Sequence, residues 1–222
     1  MRDLAAAWRD LAGDLPAAGA VGAELIARWS EPHRRYHTLD HLRAVLAAIE
    51  PLAFLARDPA AVRLAAWFHD AVYDGRPGWD EERSAQLAHS RLSRLSPMIW
   101  RGQKSAHARA GGAGSIGTVV RLVRLTAGHD PAPGDRDGEV LCDADLAVLA
   151  GPGYDAYARA VREEYRHVPD DAFRAGRARV LENLLAMPVL YRTEPARDLW
   201  ESAARRNVRT ELAALTAQPS GR

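Results

Sequence analysis

Apolar residues in this chain return at steps of three and four, as in Leu4, Trp8, Leu11 and again in Val62, Leu64, Ala65, Phe68. At 3.6 residues per turn such positions form one stripe, which is buried most readily by packing against other helices. Alanine, leucine and arginine, all good helix formers, dominate between the stripes, and β-branched residues are sparse. The pattern predicts an all-α fold, a compact bundle of about nine to eleven helices. The expected spans are 1–12, 17–29, 38–50, 59–72, 80–95, 97–109, 115–128, 138–150, 154–167, 171–186 and 195–215. Asp58-Pro59 reads as an N-cap followed by proline in the first turn, Asp80 and Asp170 as further caps, and Gly111 to Gly114 as a break. The polar loop from His129 to Asp137 reads as a lid or a solvated connection.

Of 222 residues 47% are apolar, enough for one substantial core, so a single domain over 1–222 is expected. The 30 basic side chains nearly cancel the 29 acidic ones, so no chain-wide field favours nucleic acid or an anionic membrane. Cys142 is the lone cysteine and can form neither an internal disulfide nor a thiolate cluster, which leaves His, Asp and Glu as metal ligands. The N-terminus lacks a signal-peptide layout, and no apolar run approaches the roughly 20 residues of a membrane helix. A cytoplasmic location is expected, and pairing of long amphipathic helices such as 195–215 leaves a homo-oligomer open.

Three polar clusters interrupt the helical pattern. In Arg34-Arg35-Tyr36-His37-Thr38-Leu39-Asp40-His41, two histidines four apart would share one face of a helix beginning near Thr38. That spacing suits metal ligands, and equally suits two surface histidines. In Trp67-Phe68-His69-Asp70-Ala71-Val72-Tyr73, an imidazole and a carboxylate break the apolar helix that starts at Pro59. A buried carboxylate costs several kcal/mol unless it is paired or bound to a metal. A hydrogen bond between histidine and carboxylate would also remove the difficulty. In Leu141-Cys142-Asp143-Ala144-Asp145-Leu146, acids again punctuate an apolar run, where Asp143 could cap the helix or one aspartate could face a cation.

Taken in order, His41, His69-Asp70 and a distant aspartate in an Ala-Asp context make an H…HD…D pattern. In this the chain resembles the HD-domain superfamily of metal-dependent phosphohydrolases. The segment Tyr36 to His41 is similar to the Tyr-His-Asn-x-x-His of cyclic-nucleotide phosphodiesterases, with Thr38 in place of asparagine. The chain looks most like a small subgroup of predicted phosphohydrolases. The shared phrases are Tyr36 to His41, Trp67 to Tyr73, Asp80 to Ala85 and Asp143 to Ala147, and the likeness continues through Tyr154, Tyr157, Arg162, Glu164, Tyr165, Glu201, Arg205 and Asn207. Asp80 stands where the subgroup usually has asparagine.

The resemblance implies a hydrolase of a phosphate ester, a nucleotide or another small phosphorylated compound, on an HD-type helical bundle. It implies His41, His69, Asp70 and Asp145 as ligands of one divalent ion, with Asp143 as the alternative last ligand. His37 would be the proton donor to the leaving oxygen, a task imidazole performs around neutral pH. Nitrogen and oxygen ligands suit Mn²⁺, Fe²⁺, Co²⁺, Ni²⁺ or Mg²⁺, an ion that polarises phosphorus and acidifies the attacking water. Glu81 and His129 occupy stations that could hold a second ion, or Glu81 could orient a histidine ligand. Arg34 and Arg35 could clamp phosphate oxygens. Two other functions are open: a di-iron oxygenase of the same superfamily, and a non-catalytic helical protein in which metal holds the fold.

Overall fold

The computed structural model describes residues 3–99 and 112–217. Its regular elements are helical: α1 (Leu4–Ala12), α2 (Pro16–Trp29), α3 (Leu39–Ile49), α4 (Pro59–Phe68), α5 (Trp79–Ile99), α6 (Gly112–Leu125), α7 (Arg136–Leu146), α8 (Tyr154–Glu164), α9 (Asp170–Ala186), α10 (Glu194–Ala196) and α11 (Ser202–Thr216). No strand occurs among the described residues. Nor is any described helix long and apolar enough to cross a membrane. The expected helix over 97–109 falls largely outside the described residues, as does Gly111 of the expected break, while α5 continues to Ile99. By its contacts the chain divides into two compact units, Met1–Cys142 and Asp143–Arg222, where the sequence alone suggests one domain.

In the first unit α4 is the most enclosed helix, with Ala61, Val62, Leu64, Ala65, Ala66, Trp67 and Phe68 all buried. It packs against α1, α3, α5 and α6. Its start is the expected one: Pro59 sits in the first turn and the Asp58 carboxylate accepts from Ala61 N at 3.0 Å. Asp137, buried on α7, accepts from Arg57 N and Asp58 N at 2.7 and 2.9 Å, which ties this start to a distant helix. Trp8 of α1 lies edge-on to Trp67 at 5.2 Å between ring centroids, and its indole N–H donates to Ala18 O at 2.7 Å. Gly22 on α2 lets that indole approach: a Cβ there would fall 2.4 Å from the Trp8 ring.

Across α2 and α5, Arg91 donates to both carboxylate oxygens of Glu24 at 2.7 and 2.9 Å. That hydrogen-bonded pairing holds Glu24 below the usual carboxylate range. The stretch after α6 is a tied connection, because Asp135 accepts from Arg121 at 2.5 and 3.0 Å and Glu139 accepts from Gly134 N at 3.2 Å. Asp80 and Asp170 are not N-caps. Asp80 lies in the first turn of α5 and accepts from loop amides, while Pro169 caps α9 and Asp170 accepts from Arg162 at 2.5 Å.

In the second unit, α11 packs against α9 and against a 3₁₀ turn at Ala147–Ala150. A π turn at Arg197–Glu201 separates α10 from α11, where the sequence pattern predicts one helix from 195. Glu201, at the end of that turn, accepts from Leu190 N at 3.0 Å and Tyr191 N at 3.2 Å. Glu211 of α11 joins Arg177 of α9 through two bonds of 2.8 and 3.0 Å, and Tyr154 of α8 donates to Glu211 at 2.5 Å. Burial first, then the neighbouring Glu211, pushes the Tyr154 phenol well above its ordinary value. Burial raises Tyr157 as well, against the opposing pull of Arg177.

Replacing Gly22 by alanine forces the Trp8 ring to move and should cost about 2 kcal/mol, as overpacking does, read as a lower denaturant midpoint; an unchanged midpoint would show that the indole yields freely. The tyrosines predict a second effect. A raised phenol pKa contributes stability that is complete below the unfolded value of 10.0 and is lost as pH climbs above it. The melting temperature should therefore fall above about pH 10, and Tyr154→Phe should flatten that fall in a circular-dichroism pH series.

Candidate metal centre

Three short segments of the first unit build the site: residues 29–41, the end of α4 with the turn after it, and the start of α5. Trp29 closes α2 fully buried, and its indole N–H donates to Trp67 O at 3.0 Å. Its ring lies 5.3 Å from the His69 ring and 6.1 Å from the His41 ring, an apolar wall against both imidazoles. Thr38 caps α3, its hydroxyl accepting from Asp40 N at 3.4 Å, so His41 falls in the first turn. His37 precedes the cap. The two histidines thus do not share a helix face as their spacing predicts; their rings stand 5.7 Å apart and nearly perpendicular.

A second difference concerns α4. The sequence pattern runs it to 72, but it ends at Phe68, with His69 as its C-cap and Asp70 in the following turn. The His69 amide still donates to Ala65 O at 2.8 Å, and Ala71 N closes the turn on Phe68 O at 3.0 Å. Val72 is held next, its N–H donating at 3.0 Å to the hydroxyl of Ser84 on α5. Asp80 accepts from Asp74 N and Arg76 N at 2.9 and 2.7 Å. The turn after α4 therefore stands away from the regular helix, and adjacent residues His69 and Asp70 can converge where a continuing helix would splay them by about 100°.

Convergence is tight. His69 Nε2 lies 3.1 Å from Asp70 Oδ2, His41 Nε2 lies 3.3 Å from His69 Nε2, and His41 Nε2 lies 3.9 Å from Asp70 Oδ2. Both histidines are buried and Asp70 is largely so. His69 Nδ1 is 2.9 Å from Ala66 O, and a carbonyl can only accept, so Nδ1 carries the proton and the Nε2 lone pair faces the centre. Tyr36 OH meets His41 Nδ1 at 2.9 Å, which sets His41 in the same way when the phenol oxygen accepts.

Two imidazole nitrogens and a carboxylate oxygen in such proximity call for a shared positive charge. A proton among the three supplies it, on a doubly protonated imidazole or on Nε2 of a neutral His41 that accepts from Tyr36 at Nδ1 and donates to His69, and so does a cation held by all three. Metal–ligand bonds of about 2.1 Å place neighbouring ligands of an octahedral ion roughly 3.0 Å apart, close to two of the three separations here. The donor set has no thiolate and suits a hard or borderline divalent ion. The C-terminal end of α4 also presents the negative end of the helix dipole to that charge. These residues fit a metal.

His37 sits beside this group. Its Nε2 is 3.9 Å from Asp70 Oδ2, and its ring stacks on Tyr73 at 4.1 Å between centroids. Among the described residues, His41, His69 and Asp70 form the one group of three or more ligand-type side chains that converge in this way. Glu81 is not in that group; it lies in the first turn of α5 and accepts from Gly78 N at 2.5 Å. His129 ends the turn after α6 in the left-handed region, at φ 49°, with its N–H on Leu125 O at 3.0 Å. Neither is brought into the three-residue group where the sequence suggests a second ion.

Arg34 departs from its expected role. It is buried, and its N–H groups bond Glu31 and three main-chain carbonyls, so none is left over for a phosphate. Arg35 is exposed, with Nη1 on Pro32 O at 2.6 Å and on Arg34 O at 2.9 Å. Asp143 and Asp145 belong to the second unit. There both Asp143 oxygens are occupied by loop donors, Arg192 N at 2.6 Å, Thr193 N at 2.8 Å and Thr193 Oγ1 at 2.7 Å. Asp143 is a loop anchor, and Asp145 is the half-buried member of the pair. Missed in the sequence were the roles of Tyr36, Trp29 and Ser84, and of His33, whose Nε2 meets Tyr73 O at 2.7 Å. The density of aromatic and charged residues over 29–37 signals Trp29, His33 and Tyr36, while Ser84 lies outside that stretch.

No family model, curated protein or solved structure matches this chain. Loss of the phenol in Tyr36→Phe should weaken Mn²⁺ binding about tenfold, the usual penalty for removing a group that orients a ligand histidine. Calorimetric titration measures it, and wild-type affinity in the variant would show that the phenol does not orient His41.

Proposed function

We propose that this chain is a metal-dependent hydrolase of a phosphate ester, of the HD type, acting on a nucleotide or another small phosphorylated compound. The observation that carries the proposal is the single oxygen Asp70 Oδ2, which lies 3.1 Å and 3.9 Å from the Nε2 atoms of His69 and His41 and 3.9 Å from that of His37. Three of these groups are ligand-type side chains that converge, and the fourth is an imidazole stacked on Tyr73 at the edge of the set.

One divalent ion (Mn²⁺, Fe²⁺, Co²⁺, Ni²⁺ or Mg²⁺) held by His41, His69 and Asp70 would polarise a phosphoryl oxygen and acidify a water molecule. Tyr36 and Ala66 O hold the two imidazoles in orientation through their Nδ1 atoms. Trp29 keeps water away from their inner side. His37 holds the proton that the leaving oxygen takes up, and the Tyr73 ring fixes its plane. Arg35, exposed beside His37 in the chain, is the arginine of the pair open to solvent for a substrate phosphate.

The mutational signature separates ligand from proton donor. Asp70→Ala should lose the metal, whereas His37→Ala should retain it and lose turnover by about 10²–10⁴-fold. Metal analysis and phosphate release across a panel of nucleotides and phosphomonoesters test both. The proposal fails if metal-replete protein releases no phosphate from any of them and Asp70→Ala behaves identically.

A further inference from the structure

We infer that Arg34 is a positioning residue of the metal centre, gripping the main chain of Asp70 and of His37 so that ligand and proton donor keep a fixed separation. The inference rests on the proposed metal site. Arg34 lies on neither α2 nor α3, in the link between them, yet its side chain is fully buried at 0% exposure. Burial of a guanidinium is tolerable only when its donors are matched. Here Nε and Nη2 reach Glu31 Oε2 at 3.1 and 3.0 Å. Nη1 bridges two carbonyls, His37 O at 3.1 Å and Asp70 O at 2.8 Å, and Nη2 adds Ala71 O at 3.4 Å.

The bridge by Nη1 is the informative contact. One nitrogen joins the residue carrying the candidate proton donor to the residue carrying the shared carboxylate, 33 positions later in the chain. The planar guanidinium also has the Trp29 and Tyr73 rings at 5.5 Å on its flanks. Tyr73 is the ring on which His37 stacks, and its carbonyl is the one His33 reaches. Segment 31–37 is thereby clasped along the turn 70–73 with Arg34 at its middle. Lysine has three donors but no rigid fork, so it could keep some of these contacts and not their common plane.

The test uses Mn²⁺ alone as the first probe and inorganic phosphate, added to Mn²⁺-saturated protein, as the second. Arg34→Gln should bind Mn²⁺ some 10- to 100-fold more weakly with an unchanged far-ultraviolet spectrum, and Arg34→Lys should recover part of the loss. Phosphate affinity at saturating Mn²⁺ should stay within about twofold of wild type, because Arg34 does not touch the anion. If Arg34→Gln does not fold, Glu31→Gln is the reporter. It leaves the three carbonyl contacts in place, removes the charge that holds the fork, and should weaken Mn²⁺ binding by a smaller factor. Wild-type Mn²⁺ affinity in Arg34→Lys and Glu31→Gln together, or retained Mn²⁺ binding with lost phosphate binding in Arg34→Gln, overturns the inference. A wild-type protein that binds no Mn²⁺ overturns the metal site itself, a different and distinguishable result.

Discussion

The first unit is organised around how its most enclosed helix ends. α4 is apolar on nearly every side, so its C-terminal carbonyls and the polar residues after them must be satisfied within the protein. Arg34 supplies donors to the carbonyls of Asp70 and Ala71, Ser84 takes the Val72 amide, and Trp29 takes the Trp67 carbonyl. Those bonds turn the chain away from the helix and let His69 and Asp70 converge on His41. Side chains two shells out, such as Trp8 against Trp67 and the Asp137 carboxylate on the amides before α4, seat the same helix from its other sides.

Buried carboxylates are satisfied in two different ways in this chain. Asp80, Asp137, Asp143 and Glu201 each accept main-chain N–H groups from a loop, a nearby one for Asp80 and Glu201 and one distant in the chain for Asp137 and Asp143. Asp70 instead directs Oδ2 at imidazole nitrogens. In sequence Asp70 and Asp143 look alike, each an acid set within an apolar helical run. The difference is what lies opposite: an amide already carries its proton and completes the pair, whereas imidazole nitrogens facing a carboxylate must share a proton or a cation with it.

Helical class, the start of α4 and the prominence of His41, His69 and Asp70 were legible in sequence because they depend on local spacing and residue type. Asp58-Pro59 opens α4 as such a pair should, and apolar stripes at three- and four-residue steps became buried helix faces. Helix ends were less legible. α4 stops four residues before its apolar pattern does: Trp67 O goes to the Trp29 indole, Phe68 O to the Ala71 amide, and Arg34 holds the carbonyls of Asp70 and Ala71 beyond the helix end. Arg34 and Arg35 are neighbours of the same residue type, yet one is buried as a clasp and the other faces solvent.

By itself, then, the amino-acid order determined an all-helical chain in which two histidines and an aspartate are the outstanding polar residues of its apolar segments. Only the tertiary structure decided that Glu81 and His129 lie outside the three-residue group, and that Arg34 binds main chain. The physical reason is that ligand identity follows from side-chain chemistry, which sequence states outright. Convergence and donor satisfaction depend on contacts between segments tens of residues apart, which no local pattern encodes.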